Sequence, residues 1–159
     1  SALSHFRVLY VFTHDSIGLG EDGPTHQPIE ILTLLRATPN MLTFRPADAN
    51  EVAGSYKFAL QQQHTPSSLA LSRQVSVPIA GTESPPTLPL MTFLFLFLPV
   101  FWFSFCLQNC ENLVGSSADA VAKGGYILQE APGGAPKVIL VGTGSEVQLC
   151  VAAAGLLGV

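Results

Sequence analysis

The sequence predicts an α/β fold, a parallel sheet flanked by helices. Two features predict it. Short apolar runs of β-branched and aromatic residues alternate with stretches of helical periodicity, and proline, glycine or a carboxylate stands at the joints between them. Arg7–Thr13 (RVLYVFT) reads as a first buried strand. Thr13 to Gln27 is then a loop of roughly 15 residues. Pro28–Ala37 predicts a helix with apolar residues at Ile31, Leu32, Leu34 and Leu35 and a proline in its first turn. Pro39-Asn40 ends it, and Met41–Phe44 makes a second short strand. Asp48-x-x-Glu51 has the form of a capping box and starts a helix to about Gln62, with Val52, Tyr56, Ala59 and Leu60 on its inner face. Ser68–Ser72 (SLALS) is a third strand, with Arg73 at its C-terminal end. Later in the chain, Gly125–Leu128 reads as a short strand and Ala131–Pro136 (APGGAP) as a flexible link. Val138–Val141 is a strand, and GTGSE at Gly142–Glu146 turns into a Ser-capped apolar helix to about Leu157.

The 159 residues suffice for one domain plus part of a second. Only 11% are charged, against roughly a quarter in ordinary soluble domains. The net charge of −4 leaves no basic footprint, so nucleic acid is not an expected partner. Cys106, Cys110 and Cys150 are too few for a disulfide framework and read as reduced thiols. No cationic region leads into an apolar stretch at the start, and the chain opens close to a strand, which reads as a fragment.

The missing charge is local. Residues 75–108 contain a single charged residue, Glu83, and six of the ten phenylalanines. Leu88–Leu107 is long enough to cross a bilayer as a helix of about 30 Å. Pro89 and Pro99 interrupt it, and the nearest cations are as far away as Arg73 and Lys123. Phe, Leu, Pro and Ser are residues of pyrimidine-rich codons, the Val75 codon must begin GT, and the Gln108 codon can be CAG. The favoured reading of 75–108 is therefore a retained intron translated in frame. A membrane helix and a buried core segment stay open as alternatives.

In parallel α/β sheets, ligands sit at the carboxyl ends of the strands. The loop after the first strand and Arg73 after the third both fall there. The loop carries His14, Asp15, Glu21, Asp22 and His26, groups suited to acid–base work or to hydrogen-bonding a polyhydroxylated substrate. A solvated polar loop explains the same residues equally well on spacing alone. His14, Asp22 and His26 match no familiar metal-ligand spacing. Arg73 suits a phosphate or carboxylate, or a structural ion pair. His5 and His64 read as surface residues. GTGSE is an incomplete G-x-G-x-x-G and reads as a tight turn rather than a nucleotide loop.

In order along the chain stand THDSIGLGEDGPTHQPIE at Thr13–Glu30, Arg45-Pro46-Ala47-Asp48 with Asn50-Glu51, LALSRQ ending at Gln74, KGGYIL at Lys123–Leu128 and VILVGTGSE at Val138–Glu146. Together they resemble the transketolases. The resemblance implies a thiamine-diphosphate-binding fold of the pyrimidine-domain type, incomplete and carrying a hydrophobic insert foreign to the family. It divides the chain into a pyrimidine-binding domain at 1–74, the insert at 75–108, the end of that domain and a linker at 109–130, and the start of the C-terminal domain at 131–159.

By the same resemblance, the activity is transfer of a two-carbon ketol unit from a ketose phosphate to an aldose phosphate in the pentose phosphate pathway or Calvin cycle. The cofactors implied are thiamine diphosphate and a divalent metal such as Mg2+. His26 would act catalytically beside the thiazolium carbon, while His14, Asp22 and Arg73 would bind the sugar phosphate. The cofactor's main contacts and the metal ligands belong upstream of Ser1, so no residue here is assigned to either. The family site lies between two subunits, which implies a homodimer and an inactive isolated chain, in the cytoplasm or a plastid. A formaldehyde-using transketolase of the dihydroxyacetone synthase type shares this loop. A non-catalytic, membrane-anchored relative is the rival reading if 88–107 is a real segment. Ile31 departs from the family, which commonly has a polar residue after PIE.

Overall fold

The computed structural model describes residues 1–15, 23–72 and 112–158. Three parallel strands form one sheet: β1 (Leu9–Phe12), β2 (Leu42–Phe44) and β3 (Ser67–Ala70), in the order β1-β3-β2. β3 lies in the middle, with Ser67 level with Leu9 on one side and Leu42 on the other. Helix α1 (Ile31–Ala37) connects β1 to β2, and α2 (Ala49–Gln61) connects β2 to β3. Helical crossovers are what parallel neighbours require. The predicted α/β class is the observed one.

The core is small: Val52 from α2 meets Leu69 and Leu71, and Leu9, Phe44 and Tyr56 pack around them. Leu60, expected on the inner face of α2, is 61% exposed. The inward side of α2 is taken instead by Val52, Gly54, Ser55 and Ala59. Helix α1 begins three residues after Pro28, which leads into the helix rather than occupying its first turn. Its end is as the sequence suggests. Thr38 turns extended ahead of Pro39, its amide donating to Leu34 O and Leu35 O.

The Asp48 cap of α2 forms, Glu51 reaches back to the amide one residue before it, and the pair does more than cap. The Glu51 amide donates to Asp48 Oδ1 at 2.9 Å, and the Ala47 amide donates to Glu51 Oε2 at 2.7 Å. The second oxygen of Asp48 accepts from the Leu113 amide at 2.9 Å, and Tyr126 Oη donates to Glu51 Oε1 at 2.5 Å. Asn50 donates to Ser116, and Lys57 pairs with Asp119. One helix N-terminus thus fastens the chain after residue 112. The contact is close, since a Cβ on Gly54 would stand 2.2 Å from the carbonyl oxygen of Ala118. A 3-10 turn at Ala120–Lys123 lies on the same helix. Burial, and then the hydrogen bond to charged Glu51, push the Tyr126 hydroxyl up to about 12.

Two predicted strands are absent. Neither Gly125–Leu128 nor Val138–Val141 belongs to a sheet, because no described segment runs beside either to complete a ladder. The segment 131–136, expected as a flexible link, contains a turn closed by the Gly134 amide on Ala131 O at 3.1 Å. GTGSE forms a short 3-10 turn, Gly144–Glu146, that opens α3 (Val147–Leu157). The Ser145 hydroxyl donates to Glu146 rather than capping the helix. No helix among the described residues is long and apolar enough to cross a membrane, and Leu88–Leu107 lies outside them.

Candidate functional site

Because the strands are parallel, their carboxyl ends converge on one edge of the sheet. β1 runs into Thr13, His14 and Asp15, β2 into Arg45, and β3 into Leu71 and Ser72. The pairing continues past the strands. Leu71 N donates to Phe12 O at 2.7 Å, and Asp15 N donates to Leu71 O at 2.9 Å. The backbone on either side of His14 is therefore tied to the central strand.

His26 comes to the same place from a turn closed by its own amide on Gly23 O, 3.1 Å away. Its ring meets that of His14 edge-on, with centroids 5.7 Å apart and planes at 76°. Each ring is steadied by the residue before it. Thr13 Oγ1 is 2.6 Å from His14 Nδ1, and Thr25 Oγ1 is 3.0 Å from His26 Nδ1. Where the hydroxyl donates to Nδ1, a neutral ring carries its proton on Nε2; where it accepts, the proton sits on Nδ1. The two imidazoles line a pocket of about 300 Å3. Thr13, Asp15 and Thr25 add polar groups to its lining, and Phe12, Ile31, Leu32 and Leu35 add apolar ones. Such a cleft, apolar with a few convergent polar groups, suits a small molecule whose hydroxyls are read at one end.

Asp15 is 8% exposed and held by Arg45, whose Nε lies 2.8 Å from Asp15 Oδ2. The same guanidinium pairs with Glu146 and donates to Thr143 O and Thr143 Oγ1 at 2.7 and 2.9 Å. Burial works against the charge on Arg45, but the hydrogen bonds to Glu146 and Asp15 outweigh it and hold the group above its ordinary value.

Of the four site residues expected from the sequence, His14 and His26 are brought together, and Asp22 and Arg73 lie outside the described residues. Among the described residues, no cluster of three or more His, Cys, Asp or Glu side chains is placed to hold a metal. The sequence reading missed the roles of Thr13 and Thr25, although the repeated Thr-His dipeptide was a visible signal. It also missed Arg45, whose partners stand 30 and about 100 positions away and leave no local pattern.

Comparison with known proteins adds three findings. Residues 1–77 match the model of the transketolase pyrimidine-binding domain, and residues 124–158 match that of the transketolase-like C-terminal domain. The chain is 48% identical to the chloroplastic transketolase of Solanum tuberosum over 155 residues, covering 97% of this chain and 16% of that protein. It is 45% identical to transketolase 1 of Saccharomyces cerevisiae over 157 residues, covering 99% and 18%. A crystal structure of Pichia stipitis transketolase in complex with sedoheptulose-7-phosphate superposes with a TM-score of 0.73 at 43% identity, covering 99% of this chain and 18% of that one. The Leishmania mexicana transketolase gives 0.71 at 39% identity, with the same coverage. The chain thus spans under a fifth of the length of these relatives.

Proposed function

The chain belongs to the transketolase family, and from that premise we propose that it forms the sugar-phosphate-recognising part of an enzyme moving a two-carbon ketol unit from a ketose phosphate to an aldose phosphate. The observation that carries this reading is the His14–His26 pair at the carboxyl edge of the sheet, its rings edge to face and each Nδ1 within hydrogen-bond distance of the threonine before it. Two imidazoles, each able to donate or to accept, suit the neighbouring oxygens of a ketose, one at its reacting end and one further along the sugar. His26 is assigned to that end and His14 to the sugar chain. Asp22 is assigned to a hydroxyl and Arg73 to the phosphate, for which a permanent planar charge is suited.

Thiamine diphosphate, with a divalent metal such as Mg2+, would supply the carbanion chemistry when bound. The part we give this chain is orientation of the sugar. A homodimer is the proposed assembly. The plastid is the proposed compartment where the relative is chloroplastic, as in Solanum tuberosum, and the cytoplasm otherwise. We assign 1–74 and 109–130 to the pyrimidine-binding domain and its linker, 131–159 to the start of the C-terminal domain, and 75–108 to a translated intron.

The test is binding of fructose 6-phosphate and of fructose to the whole chain, followed through the histidine ring resonances. Fructose 6-phosphate should shift His14 and His26 together. Arg73→Ala should weaken the phosphorylated sugar by about 10- to 100-fold, the range for losing a charge-assisted hydrogen bond, and leave fructose unaffected. Equal affinity of the unaltered chain for the two sugars would overturn the phosphate assignment.

A further inference from the structure

We infer that Arg45 is a positioning residue: it sets His14 through Asp15 and, with the other edge of the same guanidinium, docks the Thr143–Glu146 turn onto the sheet. Its functional meaning rests on the sugar-recognition reading above, although the clamp itself does not.

Arg45 is the first residue after β2, so it emerges at the sheet edge where β1 delivers His14 and Asp15. Its Nε donates to Asp15 Oδ2 at 2.8 Å, and its Nη1 reaches Thr143 O, Thr143 Oγ1 and Glu146. The main chain joins in, because Gly144 N donates to Arg45 O at 2.9 Å. The GTGSE motif, too incomplete for a nucleotide loop, is accounted for by this contact. Gly144 has φ +61, and a Cβ there would stand 3.0 Å from Arg45 Cγ and Cζ. Glycine is what lets the turn fold over the arginine side chain.

The arrangement is specific to arginine. The side chains of Arg45 and Asp15 are 13% and 9% exposed, and that of Glu146 is 29% exposed. Two carboxylates so placed need one cation between them, with donors pointing to both sides at once. A guanidinium provides that fork, whereas an ammonium is a single point. Asp15 adjoins His14 in the chain, and its amide is bonded to Leu71 O. Releasing its carboxylate therefore frees one of the two ties that hold the backbone after His14. Glu146 sits at the far side of the guanidinium, so its loss should loosen the turn and leave His14 in place.

The experiment compares the whole chain with Arg45→Met, Arg45→Lys, Asp15→Asn and Glu146→Gln. It reads the His14 and His64 ring nitrogen resonances and the amide exchange of Asp15, Leu69 and Gly144. Arg45→Met and Asp15→Asn should both shift the His14 resonances and leave His64 alone. Arg45→Lys should recover Asp15 protection only in part. Glu146→Gln should speed Gly144 exchange by about two- to fivefold, as for one lost, partly exposed ion pair, with His14 unmoved. If Arg45→Met loses Leu69 protection and is unfolded, Asp15→Asn decides, since it keeps the side chain's shape. An unmoved His14 in a folded Asp15→Asn protein overturns the inference and leaves Arg45 a structural clamp. Fructose 6-phosphate that fails to shift His14 in the unaltered chain would instead sink the sugar reading, with the Arg45 result standing apart from it.

Discussion

β3 reads SSLA and is buried at all four positions between two parallel neighbours, whereas Val138–Val141 reads VILV, joins no sheet, and has residues 41% to 84% exposed. By intrinsic preference the order should be reversed, because Val and Ile are strong strand formers and Ser is not. A strand exists only where a ladder receives it. Two serines suffice when Leu9 and Leu42 stand on either side. Four apolar β-formers do not when no described segment runs alongside. The two halves of the chain are accordingly held in different ways. The N-terminal half has a sheet and a core, and the segment after residue 124 is attached largely through side chains, Tyr126 on Glu51 and the Arg45 clamp.

The largest expected effect exposes that difference directly. Leu69 is fully buried at the centre of the core, so Leu69→Ala should cost about 2–5 kcal/mol in urea unfolding, the range for emptying a leucine site. Ile139→Ala removes comparable apolar volume from a residue 76% exposed and should change stability by less than about 0.5 kcal/mol. Equal losses at the two positions would mean that VILV is packed in solution and that the contrast is false.

The same contrast explains what could be read from the sequence. The elements at 7–72 were legible because periodicity, prolines and the Asp48–Glu51 cap agree locally with the tertiary outcome. Their bounds differ by up to three residues, and the ends of α1 and β2 fall where the sequence puts them. The strands at 125–128 and 138–141 were misread because the apolar run was visible and the missing neighbour was not. Spacing places Leu60 inward, but the inner side falls to Val52, Gly54, Ser55 and Ala59, and at Gly54 the chain at Ala118 comes too close for a larger residue. At the site, the histidines were found from loop chemistry. The Arg45 clamp was not, because ion pairs across 30 or more positions leave no periodic trace.

A second, smaller perturbation separates the core from the chain laid on it. Gly54→Ala replaces glycine inside a helix, which favours α2 by about 1 kcal/mol. The new Cβ would also stand 2.2 Å from the Ala118 carbonyl oxygen, a backbone atom that cannot rotate aside. Overpacking of this kind costs about 1–3 kcal/mol, so repulsion should win at the contact while the helix itself gains. The expected result is faster amide exchange at Leu113 and Gly124 with β3 still protected. Protection unchanged at all of these sites would show that the 112–123 segment is not seated on α2.

The smallest expected effect concerns the tie between Tyr126 and the cap of α2. Tyr126→Phe removes a hydrogen bond to a carboxylate from a ring that is only partly buried, which should cost about 1 kcal/mol at neutral pH. Its pH dependence has a definite sign. Folding raises the hydroxyl from 10.0 to about 12, so the folded chain holds this proton more tightly than the unfolded one. The contribution is fully present below pH 10 and is lost as pH rises towards 12, where a phenolate would face Glu51. The stability difference between the unaltered chain and Tyr126→Phe in urea should therefore be flat from pH 7 to 10 and shrink above it. Other titrating groups are common to both proteins and cancel in that difference. A gap that instead widens above pH 10 would mean the folded hydroxyl is lowered, and the Glu51 bond could not be its partner.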